Sequence, residues 1–152
     1  MNNTKVLPPE EAAERILAIM ETGAAAPLVI SGNSMSPFLV HGRDTVYLTP
    51  PPNRLKKGDM ILYHRDSGSY VLHRICAAEG DTFCLIGDGQ QEKEYGIRRD
   101  QVIALVTAVH RKGKLLKKGS FLWTLFEKVW IRMIPLRPAA LGIYGFCKRK
   151  KI

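Results

Sequence analysis

Ser31-Gly32-Asn33-Ser34-Met35-Ser36-Pro37-Phe38-Leu39-Val40 is the stretch on which the reading of this chain turns. It follows Leu28-Val29-Ile30, an apolar run that predicts a strand. Gly32 and Pro37 break regular backbone on either side of Ser34. A serine on a tight turn after a strand is fixed in place with its hydroxyl exposed, as nucleophilic catalysis requires. The same composition also suits a plain loop whose serine bonds to its own backbone.

Working outward, Pro8–Thr22 predicts an amphipathic helix. Pro9, Glu10 and Glu11 suit its first turn and Gly23 its stop, while Ala12, Ile16, Ile19 and Met20 share one face. Downstream, Thr45–Leu48, Met60–His64, Tyr70–Ala77, Thr82–Ile86 and Gln101–His110 predict strands. Pro50-Pro51-Pro52 and the polar stretch 90–99 predict loops. Many short strands with frequent turns predict a mainly β, barrel-like domain over 28–112, preceded by a helix and lead-in over 1–27.

Residues 113–152 read as a helical tail. Phe121, Leu122, Leu125, Phe126, Val129 and Met133 mark one helical face, with Trp123 and Trp130 beside it. Arg111-Lys112, Lys114, Lys117-Lys118 and Lys148–Lys151 bracket the apolar part. Aromatic residues on an amphipathic helix with lysine-rich flanks suit an in-plane helix on an anionic membrane surface. They equally suit a helical hairpin packed on the β domain with its basic ends solvated.

Composition narrows the classes. The 152 residues carry 23 Lys+Arg against 14 Asp+Glu, a net charge of +9, with 45% apolar residues. One domain with a real core is expected, and an anionic partner surface. Acidic lipid is favoured over nucleic acid, because the charges sit at segment ends and not along one helix face. Cys76, Cys84 and Cys147 form neither a metal spacing nor an even disulfide set, which predicts buried or inert thiols. The N-terminus shows no apolar leader region, and no uncharged run reaches the roughly 20 residues of a spanning helix. The expectation is a peripheral membrane protein, otherwise cytoplasmic.

Gly32-x-Ser34-Met35-x-Pro37 resembles the nucleophile box of the signal peptidase superfamily. These serine endopeptidases share a coiled β-barrel fold with the self-cleaving SOS-repressor-type proteases. The stretch Tyr70–Asp81 resembles the family's second box, which runs from the general base to a Gly-Asp turn. His73-Arg74 looks like the form found in endoplasmic-reticulum enzymes and some Gram-positive relatives, where histidine replaces lysine as base. Gly58-Asp59 and Gly87-Asp88 fall in the family's order, although Gly89 stands where the late box usually has Asn.

The resemblance implies Ser34 as nucleophile and His73 as its base, with His64 as runner-up. Asp88 is the candidate to hold the other His73 nitrogen. A hairpin centred on Glu79-Gly80 would pair Cys76 with Phe83, His73 with Ile86 and Val71 with Asp88. His73 and Asp88 would then be diagonal neighbours on one face, a relation that a one-residue slip breaks. Asp59, Asp81 and Asp100 read as turn or loop carboxylates. The Ser34 N–H is the natural oxyanion donor, with Gly32 at the position where some relatives carry a second; Ser31 and the Asn33 amide are alternatives. Met35 is expected beside the substrate groove, and no metal or cofactor is implied. The function that follows is cleavage of a leader or signal segment from a precursor peptide. Two others stay open: self-cleavage at Gly23-Ala24-Ala25-Ala26, or a catalytically silent peptide-binding module on a membrane.

Overall fold

The computed structural model describes residues 7–150. The first six residues and Lys151, the end of the basic cluster, lie outside the described residues. Helix α1 spans Pro9–Glu21, with Pro9 at its start and Ala13, Ile16 and Met20 buried. The strands are β1 (Ala26–Val29), β2 (Thr45–Thr49), β3 (Met60–His64), β4 (Tyr70–Glu79), β5 (Thr82–Ile86), β6 (Glu94–Arg98), β7 (Val102–Arg111) and β8 (Lys114–Lys117). A helical turn α2 (Phe121–Thr124) runs on through irregular turns over 125–136 into helix α3 (Arg137–Arg149).

The strands form one antiparallel sheet in the order β1-β2-β7-β3-β4-β5-β6. β3 and β8 share one edge of β7, β3 along Val102–Leu105 and β8 along Ala108–Arg111. The expected barrel is corrected here, because β1 and β6 do not pair and the sheet stays open. Closure needs every strand to reach its neighbour with a consistent stagger. β1 is only four residues long and the chain leaves it at once for the Ser34 turn. Two further expectations shift. Residues 94–98, predicted as loop, form β6, and 114–117, predicted in the helical tail, form β8.

Burial explains the central strand. Met60 and Leu62 of β3 face one apolar cluster with Met35, Phe38, Val46, Val106, Trp123 and Phe126. Ile61 and Tyr63 face a second cluster with Ile75, Phe83, Leu85 and Ile97. A strand covered on both faces carries a continuous apolar run, which Met60–Tyr63 is.

Part of the tail belongs to the core. Trp123, Phe126 and Ile131 are buried, and Phe38 meets the Trp123 ring edge-on at 6.0 Å. The buried face therefore differs from the predicted one: Phe121, Leu125 and Val129 point outward. No helix among the described residues is long and apolar enough to cross a membrane.

Candidate active site

The Ser34 turn is anchored from below by its own sequence. Met35, Phe38 and Leu39 are buried, while Ser34 is half-buried beside them. The Leu39 N–H donates to Met35 O at 2.9 Å and the Ser36 N–H to Asn33 O at 3.1 Å. Gly32 takes a left-handed conformation, φ +82°, that favours glycine.

From above, Gly87-Asp88-Gly89 clamps the same turn. The Gly89 N–H donates to Ser34 O at 2.8 Å. A Cβ at Gly89 would stand 2.7 Å from Ser36 O, and one at Gly87 would collide with Ser34 O. Both positions are glycine because two backbone segments touch there. The tail braces this clamp. Trp130 Nε1 donates to Asp88 O at 2.7 Å, and Arg137 Nη1 donates to Gly87 O at 2.9 Å and Gln90 O at 2.8 Å.

The register between β4 and β5 corrects the expected partner of Asp88. Ala77 pairs with Cys84, but a bulge at Cys76 brings Ile75 opposite Leu85 and Arg74 opposite Ile86. Relative to the predicted pairing this is a slip of one residue, which exchanges the two faces of the strand. Asp88 thus meets Arg74: Nε to Oδ1 and Nη2 to Oδ2, both at 2.8 Å, with both side chains fully buried. The remaining Arg74 nitrogen donates to Gly58 O at 2.9 Å. Both Asp88 oxygens are engaged by this fork, and no hydrogen bond joins Asp88 to His73 among the described residues.

His73 finds different company on the opposite face. It stands opposite Ile61 in the β3–β4 register, so Tyr63 is its diagonal neighbour. The Tyr63 hydroxyl lies 3.2 Å from His73 Nδ1 and donates to Glu94 Oε2 at 2.5 Å. Arg65 holds Glu94 through Nε at 2.9 Å and Nη2 at 2.8 Å. His73 is 3% exposed. Burial first, then the Arg65 charge, pushes its pKa down to about 4, against the pull of Glu94 and Asp88. The imidazole is therefore neutral at physiological pH, the form a base needs. Burial works against the Glu94 charge, but bonds from Arg65 and Tyr63 hold its pKa below the usual carboxylate range.

Ser34 and His73 line one cleft of about 270 Å³, together with Ile30, Met35, Tyr70 and Leu72. A second cleft of about 520 Å³ shares Arg65, His73 and Gln90 with the first and is lined further by Gln91, Lys93 and Glu94. Ser34 and His73 make no hydrogen bond to each other among the described residues, and neither does the Ser34 N–H have a partner. Along the first cleft runs a strand edge that is unpaired among the described residues. Ile75 directs its N–H and C=O to Asp59 and Gly58, both at 2.8 Å. Alternation then turns the Tyr70 and Leu72 backbone groups to the opposite edge, which β5 reaches only as far as Arg74.

The other expected residues fall as follows. The Gly32 N–H donates to His41 Nδ1 at 2.9 Å, so it is engaged and not free for an oxyanion. His64 is exposed and stacks on Tyr70 at 4.6 Å between ring centres. Asp100 binds Arg98 at the surface. Cys76 and Cys84 are buried free thiols with sulfurs 2.9 Å apart, and burial pushes Cys84 up to about 12. No cluster of His, Cys, Asp and Glu among the described residues is placed to hold a metal ion.

Tyr63 and Glu94 are absent from the sequence reading. A turn at Asp66-Ser67-Gly68 pairs His64 with Tyr70 and thereby puts Tyr63 beside His73, so that signal was present. Glu94 carried none, because β6 lies in a stretch without apolar alternation. A scan against protein-family models finds no match, and a search of curated proteins finds no relative.

Proposed function

We propose that this chain is a serine endopeptidase of signal-peptidase type. The observation that carries the reading is the shared cleft: a turn-borne Ser34 whose N–H has no partner among the described residues, and a neutral, buried His73 on its wall. Ser34 Oγ attacks a peptide carbonyl while His73 Nε2 takes its proton. The Ser34 N–H stabilises the oxyanion. His73 then protonates the leaving amine, and water releases the acyl-enzyme by the same route in reverse. The substrate peptide lies extended and adds to the free Tyr70–Leu72 edge, with Met35 and Leu72 as apolar floor.

Cleavage in trans is favoured over self-cleavage. Ala26 is the first residue of β1 and pairs with Leu48, so cutting Gly23–Ala26 in cis requires β1 to leave the sheet. The test is acylation by a penem followed by mass spectrometry of the intact chain. One adduct on Ser34, lost in Ser34→Ala, is expected; an unlabelled wild type, or equal labelling of Ser34→Ala, rejects the mechanism.

We further propose that the enzyme works at an anionic membrane surface, a leader or signal segment being its substrate. Residues 1–110 carry 11 Lys+Arg against 13 Asp+Glu, whereas 111–152 carry 12 against one. On that basic segment Phe121 is 85% exposed, Ile143 67% and Phe146 59%. Apolar side chains ringed by lysines suit an interfacial helix. Truncation is a poor test, because it removes Trp123, Phe126 and Arg137 from the core. Ile143→Ser with Phe146→Ser leaves the fold intact and is expected to weaken sedimentation with phosphatidylserine vesicles at least tenfold. Unchanged sedimentation rejects the membrane surface.

A further inference from the structure

We infer that Tyr63 and Glu94 are positioning residues for His73: Glu94 claims the Tyr63 proton, and the Tyr63 oxygen thereby fixes the imidazole as the Nδ1–H tautomer. This rests on the reading of His73 as the base of Ser34. It assigns the third member of the constellation to a hydrogen-bonded pair on two other strands, and removes Asp88 from it.

Proton bookkeeping decides the direction of each bond. An ionised carboxylate only accepts. Glu94 is held by two Arg65 nitrogens, which keep it ionised. The phenol owns a single proton, and the 2.5 Å contact to Glu94 Oε2 places it there. Burial and the Glu94 charge raise the Tyr63 pKa, so the phenol does not lose that proton. Its oxygen, 3.2 Å from Nδ1, is left with lone pairs only. Nδ1 must therefore be the donor, and Nε2 carries the free electron pair that takes the proton from Ser34. As the imidazolium forms, the hydrogen bond donated by Nδ1–H shortens onto a phenol oxygen already polarised by Glu94, and the cation is stabilised.

The charges around the ring fit this role. Tyr63 and Arg65 face it from β3 and the turn beyond and Glu94 from β6, while Asp88, on the Arg74 face of β4, acts on it only through its charge. Asp88 is paired with Arg74. Arg65 opposes protonation of His73, and Glu94 is the carboxylate that offsets it. Loss of the Glu94 charge leaves Arg65 opposed only by the weaker pull of Asp88.

The test separates tautomer from rate. Nitrogen-15 spectra of labelled wild type between pH 6 and 9 are expected to show His73 as one neutral tautomer, protonated at Nδ1. Tyr63→Phe keeps the ring volume and removes the oxygen. It is expected to mix in the Nε2–H form and to slow penem acylation of Ser34 about 10²-fold, with reversible penem binding changed less than about threefold. Glu94→Gln, at a partly exposed site, is expected to slow acylation about tenfold and to lower the His73 pKa further; it carries the test if Tyr63→Phe folds poorly. A wild-type ring protonated at Nε2, or variants with unchanged tautomer and rate, overturn the relay. Wild type that shows the Nδ1–H tautomer but never acylates overturns the peptidase reading and leaves the relay standing as a structural fact.

Discussion

His73 and Arg74 are neighbours on one strand, yet they belong to two different regions. Arg74 faces a sealed pocket in which its charge and that of Asp88 cancel in a two-pronged bond. His73 faces a cleft wall where the nearest polar groups leave one ring nitrogen unsatisfied. Both side chains are almost wholly buried, so burial does not distinguish them. Saturation does. Each Asp88 oxygen accepts from Arg74, and such a group holds architecture in place; a ring with an unused lone pair on the wall of a cleft shared with Ser34 is free to meet a ligand.

Substitutions on the two faces of β4 break this comparison in opposite ways. His73→Ala is expected to slow penem acylation of Ser34 by 10³–10⁴-fold, about 4–5 kcal/mol of barrier, and to lower the urea midpoint only by what the cavity of a buried ring costs. Comparable acylation by the variant would remove His73 from the chemistry. Arg74→Met does the reverse. It strands the Asp88 charge and should cost about 3–5 kcal/mol of folding stability in urea titration. A cost below about 1 kcal/mol would mean that Asp88 has another partner.

A pH titration sharpens the same contrast. The His73 pKa is about 4 in the folded chain and 6.5 ordinarily. Between those values the unfolded chain binds a proton that the native state refuses. Stability from this source is complete above pH 6.5 and is lost as the pH falls toward 4, by about 3 kcal/mol at most. Urea unfolding at pH 7 and pH 4.5 should show the loss in wild type and a smaller one in His73→Gln. Equal losses would place the ring in solvent. Acylation should persist to about pH 5 for the same reason. The smallest expected effect is that of Gly89→Ala, whose added carbon would press on Ser36 O. About 1–3 kcal/mol is expected, with slower acylation because the Ser34 turn shifts; an unperturbed turn would show that the clamp yields.

Much of the sheet was legible because strands declare themselves locally. Met60–His64 and Thr82–Ile86 fall where their apolar runs put them. So did the turn that carries Ser34, since Gly32 and Pro37 act through their own backbone. What sequence did not reveal depends on register. One bulged residue, Cys76, moved Asp88 from the histidine face to the arginine face, and no propensity rule marks that residue. Glu94 was invisible for a related reason: β6 is an exposed edge strand, paired to β5 by position and not by pattern. Barrel closure failed on a long-range fact, the pairing of first and last strands, about which neither strand's sequence speaks.

The bonds from Trp130 and Arg137 to the loop over Ser34 carry a consequence for synthesis. A ribosome must release residue 137 before those braces can form. A nascent chain that has already emerged through Asp88 therefore holds its serine under an unfastened lid of backbone. Assembly of the braced turn waits for residues 130–137 to fold onto the Gly87–Gln90 loop, so the segment that carries Ser34 is completed by a part of the chain made long after it.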